Sequence, residues 1–194
     1  MNEKAITAIA DFMAKRSKKE YKQGTDDYEI LRYGVAVLYY FVTKTALLII
    51  VSLLLGILQY TLVFMIVFGV LRRYARGLHF KSNAVCAAVG FASYIVGIFM
   101  AIHLEIGLAL SIAIYMACFA LNCIYAPSPT ANTPIEATGK MPLKIKTIIT
   151  MIALFVVMVL IGESTFRNII LIAAITETIY ILPIVYKIFR EGRD

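Results

Sequence analysis

The chain has 194 residues, 61% of them hydrophobic, and carries 19 Lys and Arg against 12 Asp and Glu, a formal net charge of +7. A soluble domain is typically about 45–50% apolar, so a water-soluble globule is excluded: too little polar sequence remains to cover it, and the apolar residues come in long blocks. In a soluble protein the positive charge would point to nucleic acid, but here the basic residues flank apolar blocks, which points to membrane orientation and anionic lipid, and no nucleic-acid partner is expected.

Residues 1–23 predict an amphipathic helix, with Ile6, Ile9 and Met13 at helical spacing, Phe12 flanking, and Lys4, Lys15, Arg16, Lys18, Lys19 and Lys22 on the basic surface. Such a helix suits the headgroup region of a bilayer; a solvated helix and a docking face for the rest of the protein remain open alternatives. No h-region of a cleavable signal peptide is visible, because Glu3, Lys4 and Asp11 interrupt the first apolar residues. Gly24-Thr25-Asp26-Asp27 breaks the pattern and can cap the next helix.

Six apolar segments follow, at about 34–55, 60–71, 84–102, 106–125, 147–161 and 168–186. A bilayer core of about 30 Å needs about 20 apolar residues per helical span, so the second segment is short and is expected to be tilted, bordered by thinned lipid or buried among its neighbours. The expected fold is therefore all-α: a polytopic membrane protein of about six transmembrane helices with an N-terminal amphipathic helix. Its expected parts are a cytoplasmic helix over 1–27, a six-span membrane domain over 28–187 and a cytoplasmic tail over 188–194.

Charge sets the orientation. Seventeen of the 19 basic residues fall in four clusters: seven up to Arg32, four in the 72–83 connection, three in the 126–146 connection and three in the tail. The connections near 56–59, 103–105 and 162–167 hold only Arg167. Basic and non-basic connections alternate, which by the positive-inside rule predicts six spans in the cell membrane with both termini cytoplasmic. The 126–146 connection is expected to be extended and fairly stiff around Pro127, Pro129 and Pro134.

One basic connection also carries a His and a Cys: Arg72, Arg73, Arg76, His79 and Lys81 precede Cys86. A Cys is nucleophilic as thiolate, so its surroundings must favour the anion. Ser82 or Asn83 is a good N-cap for the third span, which places Cys86 in the first turn, where unpaired N–H groups and the macrodipole favour negative charge. His79 is the local side chain suited to proton transfer near neutral pH. Seven residues along a straight helix rise about 10.5 Å, so His79 and Cys86 can meet only if residues 79–86 turn. Gly77 and Ser82-Asn83 are the natural places for that. Gly90, Ser93, Gly97 and Ala101 follow Cys86 at helical spacing; such small residues let membrane helices pack closely, turn Cys86 toward protein and permit a homodimer. Taken alone, a buried Cys is more often an inert small hydrophobe and a loop His merely polar.

Lys44, mid-span, and Glu177, in the sixth segment, are the other intramembrane charges. Each should face a partner or a wet cavity; they are candidates to pair with each other or to help hold substrate. Three cysteines, Cys86, Cys118 and Cys123, make a disulfide framework unlike the pattern, and Cys118 and Cys123 read as packing residues. One His and scattered Cys make no zinc pattern. No metal and no cofactor are expected.

The motif Arg72-Arg73-x-x-x-Gly77-x-His79, with Cys86 seven residues on, resembles the core motif of the accessory gene regulator protein B family, bacterial membrane cysteine endopeptidases of peptide quorum sensing. Tyr125-Ala126-Pro127 followed by Pro134-Ile135 is similar to that family's proline-bearing cytoplasmic loop, and Glu177 with Leu182-Pro183-Ile184 to its last span. Arg76 departs from the residue many members have before the glycine. The resemblance implies a catalytic dyad of His79 and Cys86 and, as substrate, a short membrane-associated pro-peptide. The implied reaction removes the peptide's charged C-terminal tail and yields a thiolactone or lactone. Arg72, Arg73 and Arg76 would attract that tail, with Lys44 and Glu177 as further substrate-binding candidates. The rival reading is a non-enzymatic transporter or peptide-export component that uses Lys44 and Glu177 along a path.

Overall fold

The structure, a computed structural model, describes residues 3–17, 21–78, 82–130 and 137–189. It divides into two compact units, Met1–Leu55 and Gly56–Asp194. Among the described residues all regular structure is helical, apart from one isolated backbone bridge between Arg76 and Ser128.

The first unit holds α1 (Glu3–Arg16) and α2 (Asp26–Leu54). Helix α1 buries Ile6 and Ala10 against Tyr28 and Val35 of α2. The amphipathic helix is present, but its packed stripe is narrower than the sequence predicts: Ile9 and Met13 are exposed, because the small Ala10, one turn from Ile6, lets the helices approach there. Asp11 locks the pair, accepting from Tyr28 Oη at 2.6 Å and from Gln23 Nε2 at 2.9 Å. Those bonds hold its carboxyl below the usual range. Thr25 is the N-cap residue of α2, and Asp26, Asp27 and Glu29 crowd its first turn, where acidic charge meets the positive end of the helix. At 29 residues and 1.5 Å per residue, α2 is about 43 Å long, more than a bilayer core requires.

The second unit contains α3 (Leu58–Ala75), α4 (Asn83–His103), α5 (Leu108–Tyr125), α6 (Ala137–Leu160), α7 (Ser164–Ile181) and α8 (Pro183–Phe189). Helix α7 is its centre and packs against α3, α4, α5 and α6. Residues 168–174 are buried without a break, as in a helix apolar around its whole girth. The other helices turn apolar side chains outward, such as Val96 and Met100 of α4 and Ile149 and Ile152 of α6. Outward apolar faces on α-helices, whose backbone bonds are satisfied internally, suit lipid as the solvent. Helices α2 to α6 are each long and apolar enough to cross a membrane, and α7 with α8 makes a sixth if the pair, bent by 64°, is one span.

Helix α1 ends at Arg16 and α2 begins at Asp26, against expectations of 23 and about 34, and three further boundaries differ in the second unit. Helix α3 runs to Ala75, so Arg72 and Arg73 lie in its last turn and not in a loop. Apolar counting stops at the first charge, whereas the helix continues with Arg72 facing Glu177 in the core. The sixth segment is not continuous: Leu182 is extended at φ −68°, ψ 134°, the conformation a following proline imposes, and α8 departs from Pro183. The 126–146 connection becomes helical at Ala137, so Lys140, Lys144 and Lys146 are on α6.

Small residues set the closeness of packing around α7. A Cβ on Gly97 would stand 3.0 Å from the Phe64 ring and 3.3 Å from Ile172 Cγ2, so this glycine lets α4 close on both α3 and α7. Ala101, one turn on, is buried. Phe64, Phe68 and Tyr94 fill the seam with ring centroids 5.2–6.0 Å apart, within the range in which edge and tilted contacts add to burial.

Candidate functional site

Three chain segments meet where α3, α5 and α7 end. Ala75 O accepts from Ser128 N at 3.0 Å, and Gly77 N donates back to Ser128 O at 3.0 Å. Leu78 N donates to Tyr180 O at 2.9 Å. Ser128 Oγ bonds Tyr125 O and Ile181 O, each at 3.1 Å, and Tyr186 Oη reaches Ser128 O at 3.5 Å. Ala126, Ser128 and Thr130 are consequently buried, in a connection whose composition reads as polar. The Ala126–Pro127 peptide is cis.

This knot forces the chain after α3 into an uncommon path. Arg76 has φ 64° and Gly77 φ 105°, the left-handed side that a non-glycine residue seldom adopts and that costs of order 1–3 kcal/mol. Gly77 is required twice over, since a Cβ there would lie 2.7 Å from Arg72 Nη1 and 3.0 Å from Tyr180 O.

Arg72 organises the turn. Its Nη1 donates to Arg76 O at 3.1 Å and its Nη2 donates to Leu78 O. Its guanidinium carbon stands 5.0 Å from the centroid of the Tyr180 ring, a cation–π distance. On the core side Nη1 lies 3.6 Å from Glu177 Oε2. Glu177 is fully buried, and among the described residues neither of its carboxylate oxygens has a hydrogen-bond partner. Tyr180 is fixed in turn by a 2.5 Å bond between its hydroxyl and Ser93 Oγ, and Ser93 also donates to Val89 O at 2.8 Å.

Cys86 enters this neighbourhood from α4. Ser82 is the N-cap, at φ −84°, ψ 120°, with its hydroxyl 3.5 Å from Val85 N. Cys86 N makes the first helical bond, 2.9 Å to Ser82 O. Because Cα–Cβ bonds tilt toward the helix start, the thiol lies over the first turn, where N–H groups lack helical partners. Cys86 is half-buried and packs against the cluster of Leu78, Val185 and Tyr186. The expected small-residue face is present in part: Ser93, Gly97 and Ala101 meet protein, whereas a Cβ on Gly90 would meet nothing within 4 Å.

Of the sequence-predicted residues, Arg72, Glu177 and Cys86 fall in this one region. Arg73 and Arg76 are exposed beside it. His79 and Lys81 lie outside the described residues, as does Asn132 of the proline-bearing connection. Lys44 is half-buried in α2 of the first unit, while the cation that Glu177 faces is Arg72. Cys118 is buried and Cys123 half-buried; no disulfide joins the three cysteines. No group of three or more His, Cys, Asp or Glu side chains that could hold a metal occurs among the described residues. Sequence reasoning passed over Ser128 and Tyr180 and gave Ser93 only a packing role. Only Ser93 carried a signal, its place on the small-residue stripe; Ser128 and Tyr180 act through long-range contacts that no spacing reveals.

A family model described as Accessory gene regulator B matches residues 6–181. The chain is 26% identical over 181 residues to an AgrB-like protein of Clostridium acetobutylicum, covering 93% of this chain and 87% of that one. It is 29% identical over 167 residues to the accessory gene regulator protein B of Staphylococcus haemolyticus, covering 85% and 88%. With the same-named protein of Staphylococcus aureus it shares 25% identity over 181 residues, 93% of each chain. No solved structure matches.

Proposed function

We propose that this chain, which belongs to the accessory gene regulator B family, is a membrane cysteine endopeptidase that trims a quorum-sensing pro-peptide. The observation that carries the reading is the position of Cys86: first turn of α4, half-buried, packed beside the tied turn that leads from Arg72 toward His79. The N-cap geometry offers the thiolate unpaired N–H groups, and exposed Arg73 and Arg76 supply positive potential that would draw in an acidic tail. Lys44 remains a candidate to hold substrate.

In this reading Cys86 Sγ attacks the carbonyl carbon at the tail junction, and His79 takes the thiol proton. The C–N bond breaks, the tail leaves as an amine that receives that proton from His79, and a thioester to Cys86 remains. A thiol or hydroxyl of the substrate then attacks the thioester, His79 again moves the proton, and the ring closes as thiolactone or lactone while Cys86 is released. Holding the acyl group against its own chain favours ring closure over hydrolysis by proximity and partial exclusion of water. The transporter reading needs an intramembrane charge along an open path, and the burial of Glu177 against Arg72 favours it less.

The test is co-expression with a small peptide encoded beside the gene, followed by mass spectrometry. Cys86→Ala should abolish tail removal, and His79→Ala should lower it by about 10²–10⁴-fold. Cleaved peptide from Cys86→Ala would end the peptidase reading in favour of transport. The same reading puts both termini, the 72–83 connection and the 126–146 connection in the cytoplasm, on the strength of the basic clusters. A thiol reagent that cannot cross the membrane should then modify a cysteine introduced at Glu105 but not one at Asn132 in intact cells, and the reverse pattern would overturn the orientation.

A further inference from the structure

We propose that Arg72 and Glu177 are positioning residues, a clamp that fixes the 76–78 turn from which the chain continues to His79, rather than contacts for substrate. The inference rests on the peptidase reading above. Arg72 Nη1 and Nη2 are both directed at carbonyls of its own chain, Arg76 O and Leu78 O. The face of its guanidinium lies over Tyr180, and its remaining charge faces Glu177 at 3.6 Å. A substrate has no approach to Glu177, which is fully buried.

The turn needs such a clamp. It holds Arg76, a non-glycine residue, at positive φ beside Gly77, and strained backbone such as that of Arg76 persists only where its surroundings over-determine it. Here four donations do so: Gly77 N to Ser128 O, Leu78 N to Tyr180 O, and the two from Arg72. Glu177 faces the fork from the core side at 3.6 Å, a charge contact and not a hydrogen bond, while the two donations to Arg76 O and Leu78 O set the plane of the guanidinium. Leu78 O belongs to the peptide group whose nitrogen is that of His79. Arg72 therefore grips the chain at the last backbone atom before the proton-transfer residue. A lysine keeps the charge and loses the fork.

A buried ion pair is not needed for stability alone, since well-packed apolar replacements are often neutral or better. That separates the two roles experimentally. Purified protein would be assayed for tail cleavage with the pro-peptide in lipid nanodiscs, and amide hydrogen exchange would be read at Gly77 and Leu78. The variants are Arg72→Lys, Glu177→Gln and the double apolar variant Arg72→Met with Glu177→Leu, which leaves no unpaired buried charge. The clamp predicts that each lowers kcat by about 10²-fold, the cost of a misplacement of about 1 Å, with KM unchanged within about twofold. Exchange at Gly77 and Leu78 should quicken by about tenfold or more while the amides of α5 keep their protection.

A rise in KM at unchanged kcat would make the pair a substrate contact and overturn the proposal. Wild-type cleavage and exchange in the double apolar variant would overturn it as well, because the pair would then serve packing alone. Cys86→Ala runs beside these variants: if it still cleaves, the peptidase reading falls, and the exchange result still decides by itself whether the clamp holds the turn.

Discussion

The two ends of the second unit use the same device for different purposes. Where α4 meets α5 and α7 begins, Asn168 Nδ2 donates to Ala101 O and Leu104 O, and Arg167 Nη2 to Ile106 O at 2.9 Å. At the other end Arg72 donates to Arg76 O and Leu78 O. In both places a side-chain donor gathers carbonyls that helix ends leave without partners. The far end stops there: among its described residues 101–107 and 162–168 none has a positive φ and none is a cysteine. The Arg72 end adds positive φ at Arg76 and Gly77, a carboxylate sealed in the core, and Cys86 at a helix start. Capping alone ties loops down. Capping joined to backbone strain and a cysteine at a helix start is the arrangement on which the proposed peptidase site rests.

That contrast can be broken at either end. The largest effect is expected from Gly77→Ala, which puts a methyl 2.7 Å from Arg72 Nη1 at φ 105°. The turn must open, and cleavage should fall by about 10²-fold or more for a misplacement of about 1 Å. Detergent-extracted protein should keep its helicity by circular dichroism. Wild-type cleavage in that variant would mean that the turn is not part of the site. A smaller effect is expected from Asn168→Leu at the far end. Two carbonyls lose their donor, at a cost of about 1–3 kcal/mol. The thermal midpoint should drop while kcat and KM stay at wild-type values. A loss of kcat there would erase the distinction between the two ends.

The membrane architecture was legible in the sequence because it depends on local quantities. Runs of apolar residues give the helices. Cys86 at a capped helix start was also legible, since Ser82 and the apolar run after it are adjacent in the chain. What could not be read was the partner of each intramembrane charge. Glu177 pairs with Arg72, a residue that apolar counting assigns to a loop, because the end of α3 depends on a contact far away in the chain. The burial of Ser128 was hidden for the same reason. Its neighbours Pro127 and Pro129 announce an exposed connection, whereas three backbone segments converge on it. The break at Leu182 was written in Pro183 and was overlooked because the residues on both sides are apolar.

The claim that Cys86 is the nucleophile is tested most directly by trapping its acyl-enzyme. A pro-peptide whose ring-closing Cys is changed to Ala cannot complete the second step, so intact-mass analysis should find the enzyme carrying the peptide without its tail, less one water. Fragmentation should place that adduct on Cys86 and leave Cys118 and Cys123 unmodified. An adduct on either of those two, or tail removal that continues in Cys86→Ala, would contradict it.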